Sequence, residues 1–136
     1  MSAYLPRPRV FFEEWDDPLI SGIGWVSELI EVAGGEDVFG HLRRAAAARD
    51  RVVAPEQVIA AAPDLILASW CGKKVVPERI RSRPGWDAIP AVRAGRIVEI
   101  KSPFILQPGP AALTDGLDAI RSAIASVHAY EAPWQI

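Results

Sequence analysis

Short apolar runs alternate with amphipathic segments along most of the chain, and this pattern predicts strands and helices in turn. Three short apolar runs have the length of strands, and the first, which is β-branched and aromatic, predicts a strand buried on both faces. They are Arg9–Glu13, Leu65–Ser69 and Arg96–Ile100. Four other segments carry apolar residues at helical spacing or begin with a proline suited to a first helical turn. They are Gly24–Ala33, a segment starting at Pro55, Pro77–Arg83, and a segment from about Pro110 to His128.

The remaining stretches have less decisive patterns. The Ala- and Arg-rich stretch His41–Arg51 fits a short helix as well as a mobile loop, and Trp86–Val92 is typical of a packed loop. Prolines in residues 1–8 favour an extended arm, since a residue that precedes proline avoids the helical region, and residues 130–136 are expected to form a tail. We therefore predict a single α/β domain over residues 1–136.

The order of the elements predicts a small Rossmann-like parallel sheet of three strands, with helices on both faces. Ligands of open α/β sheets bind outside the carboxyl ends of the strands. Each predicted strand is followed there by an aromatic residue, namely Trp15, Trp70 and Phe104. If all three rings are exposed, they form an apolar patch suited to a large flat ligand with polar edges. The alternative for each ring is packing in the core.

Composition removes several classes of protein. The chain has 136 residues, and its 15 Lys and Arg are balanced by 17 Asp and Glu, so no basic excess favours nucleic-acid binding. The sequence has no run of about 18 apolar residues, so it predicts no membrane span. A single cysteine excludes an internal disulfide and a Cys-rich zinc site. The first residues lack the pattern of a signal peptide, so the sequence, taken as complete, predicts a cytoplasmic protein.

An acidic run at the end of the first predicted strand suggests a metal site, because hard cations prefer several carboxylates. It comprises Glu13, Glu14, Asp16 and Asp17. Neighbouring residues of an extended segment point to opposite sides, however, so these carboxylates are not expected to converge. His41 and His128 are not spaced for a shared metal. We therefore predict no metal centre and no cofactor.

Cys71 is a candidate nucleophile, since Lys73 or Lys74 would favour its thiolate. Neither histidine falls at a predicted strand end to act as its base. A free cysteine is more often a small buried apolar residue. The sequence therefore predicts no catalytic residue and no enzyme.

Five blocks of the sequence resemble ABC-transporter substrate-binding proteins of the cobalamin and iron-siderophore (helical-backbone) class. The blocks are Arg9–Pro18, Trp25–Phe39, Pro55–Ile59, Ala62–Ile66 and Arg83–Val92. The resemblance runs from Arg9 to about Val127 and corresponds to the C-terminal lobe of a two-lobe periplasmic-binding fold. In such proteins the ligand is clamped between the lobes. Among the subgroups, the chain is most similar to the cobalamin-binding proteins.

The resemblance implies roles for particular residues. Glu56 corresponds to the acidic residue that docks on arginines of the membrane permease. The ligand wall corresponds to the segments around strand ends, with Gln107 as a further polar contact. The predicted ligand-binding residues of this wall are Glu14, Trp15, Trp70, Cys71, Pro103, Phe104 and Gln107.

The resemblance also implies partners and a location. A corrinoid such as cobalamin is the first predicted ligand, because aromatic walls suit its macrocycle and polar side chains suit its amide edges. A ferric siderophore or haem is the alternative, since Lys73, Lys74 and Lys101 would favour an anionic ligand. The other alternative is a self-associating domain whose aromatic rim forms a homodimer interface. The family implies a periplasmic or cell-surface protein that works with an ABC permease.

Overall fold

A computed structural model describes residues 7–22, 24–42, 47–70, 73–101 and 112–130, and in the last range it describes the side chains of 114–127. The strands are β1 (Arg9–Asp16), β2 (Leu19–Ser21), β3 (Glu36–Asp37), β4 (Leu65–Ala68) and β5 (Ile97–Glu99). The α-helices are α1 (Gly24–Val32), α2 (Pro55–Ala61), α3 (Pro77–Arg81), α4 (Pro90–Arg93) and α5 (Leu117–Tyr130). Short 3-10 turns span Gly40–Leu42, Ala48–Arg51 and Trp86–Ala88, and a π-helical turn spans Ala112–Gly116.

Strand β1 organises the sheet because it pairs with three neighbours. It pairs in parallel with β4, from Val10 opposite Leu65 to Glu13 opposite Ala68. Strand β5 continues the sheet in parallel beyond β4. On the other side, β3 pairs in parallel with β1 at Arg9, and β2 pairs with it antiparallel. Among the described strands, only β2 departs from the parallel direction.

Both faces of the sheet are covered by helices, as the sequence predicted. Side chains that alternate along β1 and β4 enter two separate cores. One core joins Val10, Phe12 and Leu67 to apolar residues of α1 and α5. The other joins Phe11 and Ile66 to apolar residues of α2, α3 and α4 and to the 3-10 turn at Trp86. The fold is therefore one α/β lobe with a mostly parallel open sheet.

Within the described residues the sheet has five strands, and the prediction of three is wrong. Strand β1 was predicted over Arg9–Glu13, with its end in the turn-rich stretch Glu14–Pro18. It continues to Asp16, inside that stretch, and the chain returns as β2 through Asp17–Pro18, whose peptide bond is cis. Strands of two or three residues are too short to show a period of two, so β2 and β3 left no pattern in the sequence.

Two connecting segments are also more regular than predicted. The segment expected to be a packed loop forms the 3-10 turn Trp86–Ala88 and then α4, which has Pro90 at its start. The undecided stretch forms the 3-10 turns Gly40–Leu42 and Ala48–Arg51, with residues 43–46 outside the description. The final helix is confirmed from Leu117, and its predicted start at Pro110 lies outside the described residues. No helix in the described part of the chain is long and apolar enough to cross a membrane.

Candidate functional site

The carboxyl ends of β1, β4 and β5 meet at one side of the sheet, which we call the carboxyl edge. Backbone hydrogen bonds continue the ladder beyond the strands. The amide of Ser69 donates to the carbonyl of Glu13 at 2.9 Å, and the amide of Ile100 donates to the carbonyl of Ala68 at 2.9 Å. The segment after β4 therefore leaves the sheet beside the end of β1, and the segment after β5 leaves it beside the end of β4, as the parallel topology predicted.

Trp70 lies at this edge, but its side chain is buried, with 1% exposure. Its indole Nε1 donates to Oε2 of Glu13 at 2.8 Å, and the Glu13 side chain is itself fully buried. The prediction that Trp70 is an exposed ring is therefore wrong. The reason is that a buried carboxylate supplies the acceptor that an indole N–H needs, so the large ring can join the core beside Phe11 without a polar cost.

Trp15 is half-buried and packs on the same core. The two tryptophans share a neighbour, because Nζ of Lys73 lies 4.4 Å from the ring centroid of Trp15 and 5.2 Å from that of Trp70. The same Nζ is 2.8 Å from Oδ1 of Asp16. The structure thus brings Trp15 and Trp70 to one place, as predicted, with the ammonium of Lys73 near both rings.

The other predicted wall residues cannot be compared in this way. Cys71, Pro103, Phe104 and Gln107 lie outside the described residues, so their roles stay predictions. Glu14 is half-buried and its Oε1 is 2.9 Å from Nη1 of Arg51.

The acidic run is divided among three cations. Glu13 accepts hydrogen bonds from Nη1 and Nη2 of Arg83 at 2.7 and 2.8 Å, and the Arg83 guanidinium lies 4.5 Å from the ring centroid of Trp86. Glu14 pairs with Arg51, which is only 2% exposed, and Asp16 pairs with Lys73. A shift in register between Glu13 and Trp15 adds to the alternation of the strand and separates these side chains further.

No shared metal site forms in the part of the chain that the structure describes, where no group of three or more His, Cys, Asp or Glu could hold an ion. Sequence reasoning expected the carboxylates to diverge but did not identify Arg51 and Arg83 as their partners. A buried acidic run indicates that cations must lie nearby. It does not indicate which of the 15 Lys and Arg they are.

The Asp16 carboxyl is subject to opposing effects. Burial raises its pKa, but the hydrogen bond from Lys73, a hydrogen bond from its own backbone and the positive charges of Lys73 and Arg83 together lower it below the ordinary value. Asp16 is therefore ionised at neutral pH, and the ion pair with Lys73 persists there.

Glu56 is exposed in the first turn of α2. Because α2 leads into β4, it runs against the parallel strands and begins at the carboxyl edge. The preceding residues are held there, since the amide of Val53 donates to the carbonyl of Leu19 at 3.0 Å and Val52 pairs with Ile20. Glu56 and the tryptophan pair thus belong to the same edge of the lobe.

Residues 3–104 of the chain match the family described as periplasmic binding protein. No curated protein sequence gives a significant match.

Solved structures share the fold. The periplasmic heme-binding protein RhuT from Roseiflexus sp. RS-1 in apo form has 27% sequence identity and a TM-score of 0.66, and the match covers 90% of this chain and 49% of that one. For the periplasmic vitamin B12 binding protein BtuF of Vibrio cholerae, the identity is 19%, the TM-score 0.67 and the coverages 93% and 47%. An ABC-type Fe3+-hydroxamate transport system from Saccharomonospora viridis has 22% identity and a TM-score of 0.69, and the match covers 86% of this chain and 41% of that one.

The chain spans less than half the length of each of these three proteins. Its sheet and helices correspond to one lobe of their fold. The family model covers most of the chain. The chain therefore belongs to the periplasmic binding protein family, the substrate-binding proteins of ABC transporters.

Proposed function

We propose that the chain is a solute-binding lobe of an ABC importer and that its carboxyl edge contacts a large ligand, with a corrinoid such as cobalamin as the first candidate. The observation that carries this proposal is the family match over residues 3–104. The family consists of transport proteins rather than enzymes. We therefore propose binding and delivery to a permease, with no catalytic step.

The composition of the carboxyl edge supports this proposal. Ligand sites combine apolar surface with a few placed polar groups. Here the half-buried ring of Trp15 lies beside the Lys73–Asp16 ion pair, and Nζ of Lys73 also lies 5.2 Å from the ring centroid of the buried Trp70. Cys71, Pro103, Phe104 and Gln107 follow the same strand ends in the sequence. We propose that they complete the wall.

Haem is the second candidate ligand. It is favoured by the 27% identity to the periplasmic heme-binding protein RhuT. A ferric hydroxamate chelate is a third candidate, because a hydroxamate transport protein shares the fold. All three ligands are large, and each is compatible with a lobe that supplies one wall of a cleft.

Titration of the chain with cyanocobalamin, hemin and a ferric hydroxamate chelate tests the proposal, with affinity measured by calorimetry. We expect one of these ligands to bind, and we expect Trp15→Ala to weaken that binding about tenfold, since an aromatic contact contributes about 1–1.5 kcal/mol. Trp25→Ala is the matched control, because Trp25 is also half-buried but packs on the opposite core. Binding of none of the three ligands would contradict the proposal.

A further inference from the structure

The Lys73–Asp16 ion pair is held in one arrangement by several contacts. Nζ of Lys73 is 2.8 Å from Oδ1 of Asp16 and lies over the rings of Trp15 and Trp70. The side chains keep 38% and 13% of their exposure, respectively, so the pair is still partly open to solvent. A cation that contacts both a carboxylate and two rings loses little additional freedom when a ligand arrives.

The pair offers a donor and an acceptor side by side. An ammonium has three N–H donors, and a carboxylate has about four positions that accept hydrogen bonds. The contact between Lys73 and Asp16 uses one of these donors and one of these acceptor positions. The charges of the pair cancel, and the nearby Arg83 is neutralised by its two hydrogen bonds to Glu13. These two cations and two carboxylates therefore sum to no net charge.

The Lys73–Asp16 pair matches a carboxamide group of a ligand better than a carboxylate group. A carboxamide has a carbonyl oxygen that accepts and an NH₂ that donates, so it can bond to Lys73 and Asp16 together. A carboxylate only accepts. It would be attracted by Lys73 and repelled by Asp16 at similar distances, and the two energies nearly cancel.

We infer that Lys73 and Asp16 form a site for a carboxamide group on the ligand's edge, with Lys73 donating to its carbonyl oxygen and Asp16 accepting from its NH₂. The pair thereby selects an amide-edged macrocycle over a carboxylate-edged one of similar size. This inference rests on the proposed function, because it concerns the same carboxyl edge.

Asp16→Asn tests the inference with two probes, cyanocobalamin for the carboxamide edge and hemin for the carboxylate edge. The substitution keeps the size of the side chain, removes the negative charge and leaves Lys73 without its ionic partner. We expect cyanocobalamin to bind about tenfold more weakly and hemin to bind several-fold more tightly. Affinities are measured by calorimetry at one pH and salt concentration.

Asp17→Asn is the matched control, since Asp17 is the exposed neighbour and its substitution changes the net charge by the same amount. It should shift neither affinity by more than about twofold. If Asp16→Asn shifts both probes in the same direction, the inference is overturned. Wild-type binding of hemin without binding of cyanocobalamin would overturn the inference but leave the transport role intact. Binding of neither probe would contradict the proposed function as well.

Discussion

At the level of single residues, the Glu13 side chain is held by burial and by several hydrogen bonds. It is fully buried and accepts two hydrogen bonds from Arg83 and one from the indole of Trp70. Removing one partner of a buried ion pair leaves a charge with no compensation, which typically costs several kcal/mol. Glu13 and Arg83 are 70 positions apart, so their contact also joins the segment after α3 to the central strand.

We expect Arg83→Met to lower the free energy of unfolding by about 3 kcal/mol, measured by urea denaturation. Arg81→Met is the control, because Arg81 pairs with the exposed Glu78 on α3 and such surface pairs contribute about 0–1 kcal/mol. Equal losses of unfolding free energy in the two variants would show that the buried Glu13–Arg83 pair contributes no more to stability than the exposed pair.

Asp16 leads to a prediction about pH. Its pKa is lowered in the folded chain relative to its ordinary value of 3.8, so the unfolded chain binds the proton more readily. The stabilisation is fully present above that ordinary value and is lost as the pH falls through the lowered folded value. We expect Asp16→Asn to unfold with a weaker dependence on pH below about pH 4, measured as urea midpoints at several acidic pH values. Wild type and variant with the same acid dependence would contradict this.

At the level of elements, the connection from α1 to β3 depends on two adjacent glycines with different constraints. Gly34 has φ of +103° and open space around it, so its constraint is the backbone conformation. Gly35 faces the core, where an added Cβ would lie 2.9 Å from Cγ2 of Val10 and 3.1 Å from Cδ1 of Ile124. The close approach of this connection to β1 therefore requires the absence of a side chain at position 35.

We expect Gly35→Ala to cost about 1–3 kcal/mol of unfolding free energy through crowding. That cost should shrink when Val10→Ala is also present, because Cγ2 of Val10, the nearest of the crowding atoms, is then gone. The cost of Gly34→Ala should be the same with or without Val10→Ala, since it arises from the backbone. Urea denaturation of the single and double variants measures the cost of each glycine substitution with and without Val10→Ala. If Val10→Ala changes both costs equally, the crowding at Gly35 is contradicted.

At the level of the whole lobe, the carboxyl edge combines the proposed ligand wall with the start of α2. Glu56 is exposed there, and the hydrogen bond of Val53 to Leu19 ties its segment to β2. A charge at the rim of an interface mainly affects the rate and register of association. A permease that approaches this edge would therefore meet both the ligand and Glu56.

We expect Glu56→Arg to lower uptake through the cognate permease about tenfold or more while leaving ligand affinity unchanged. Uptake is measured in proteoliposomes and affinity by calorimetry. Glu36→Arg is the control, because Glu36 is an exposed acid that lies opposite Arg9, at the start of β1 and far from the carboxyl edge. Equal uptake with Glu56→Arg and Glu36→Arg would exclude the docking role.

Much of this lobe was predictable from local patterns. The runs around Phe11 and Ile66 are buried strands and the run around Val98 is a half-buried one, all in the correct order. The helix of Val26, Leu29 and Ile30 begins and ends within a residue or so of its predicted bounds. The homodimer stays a prediction, but its proposed contact is weakened because the Trp70 ring is buried. The missed features, β2, β3 and α4, are elements of two to four residues, too short to carry a period.

The amino-acid pattern alone was sufficient for the α/β class, the helices on both faces, the family and the edge of the sheet at which polar and aromatic residues gather. The class, the helices and the edge follow from hydrophobic periodicity and the direction of parallel strands, which are local, whereas the family follows from the resemblance of the sequence blocks. The burial of Trp70 and the pairing of Glu13, Glu14 and Asp16 with Arg83, Arg51 and Lys73 came only from the three-dimensional arrangement. Those contacts join residues 37 to 70 positions apart for the two arginines, and which cation meets which carboxylate depends on how the elements pack.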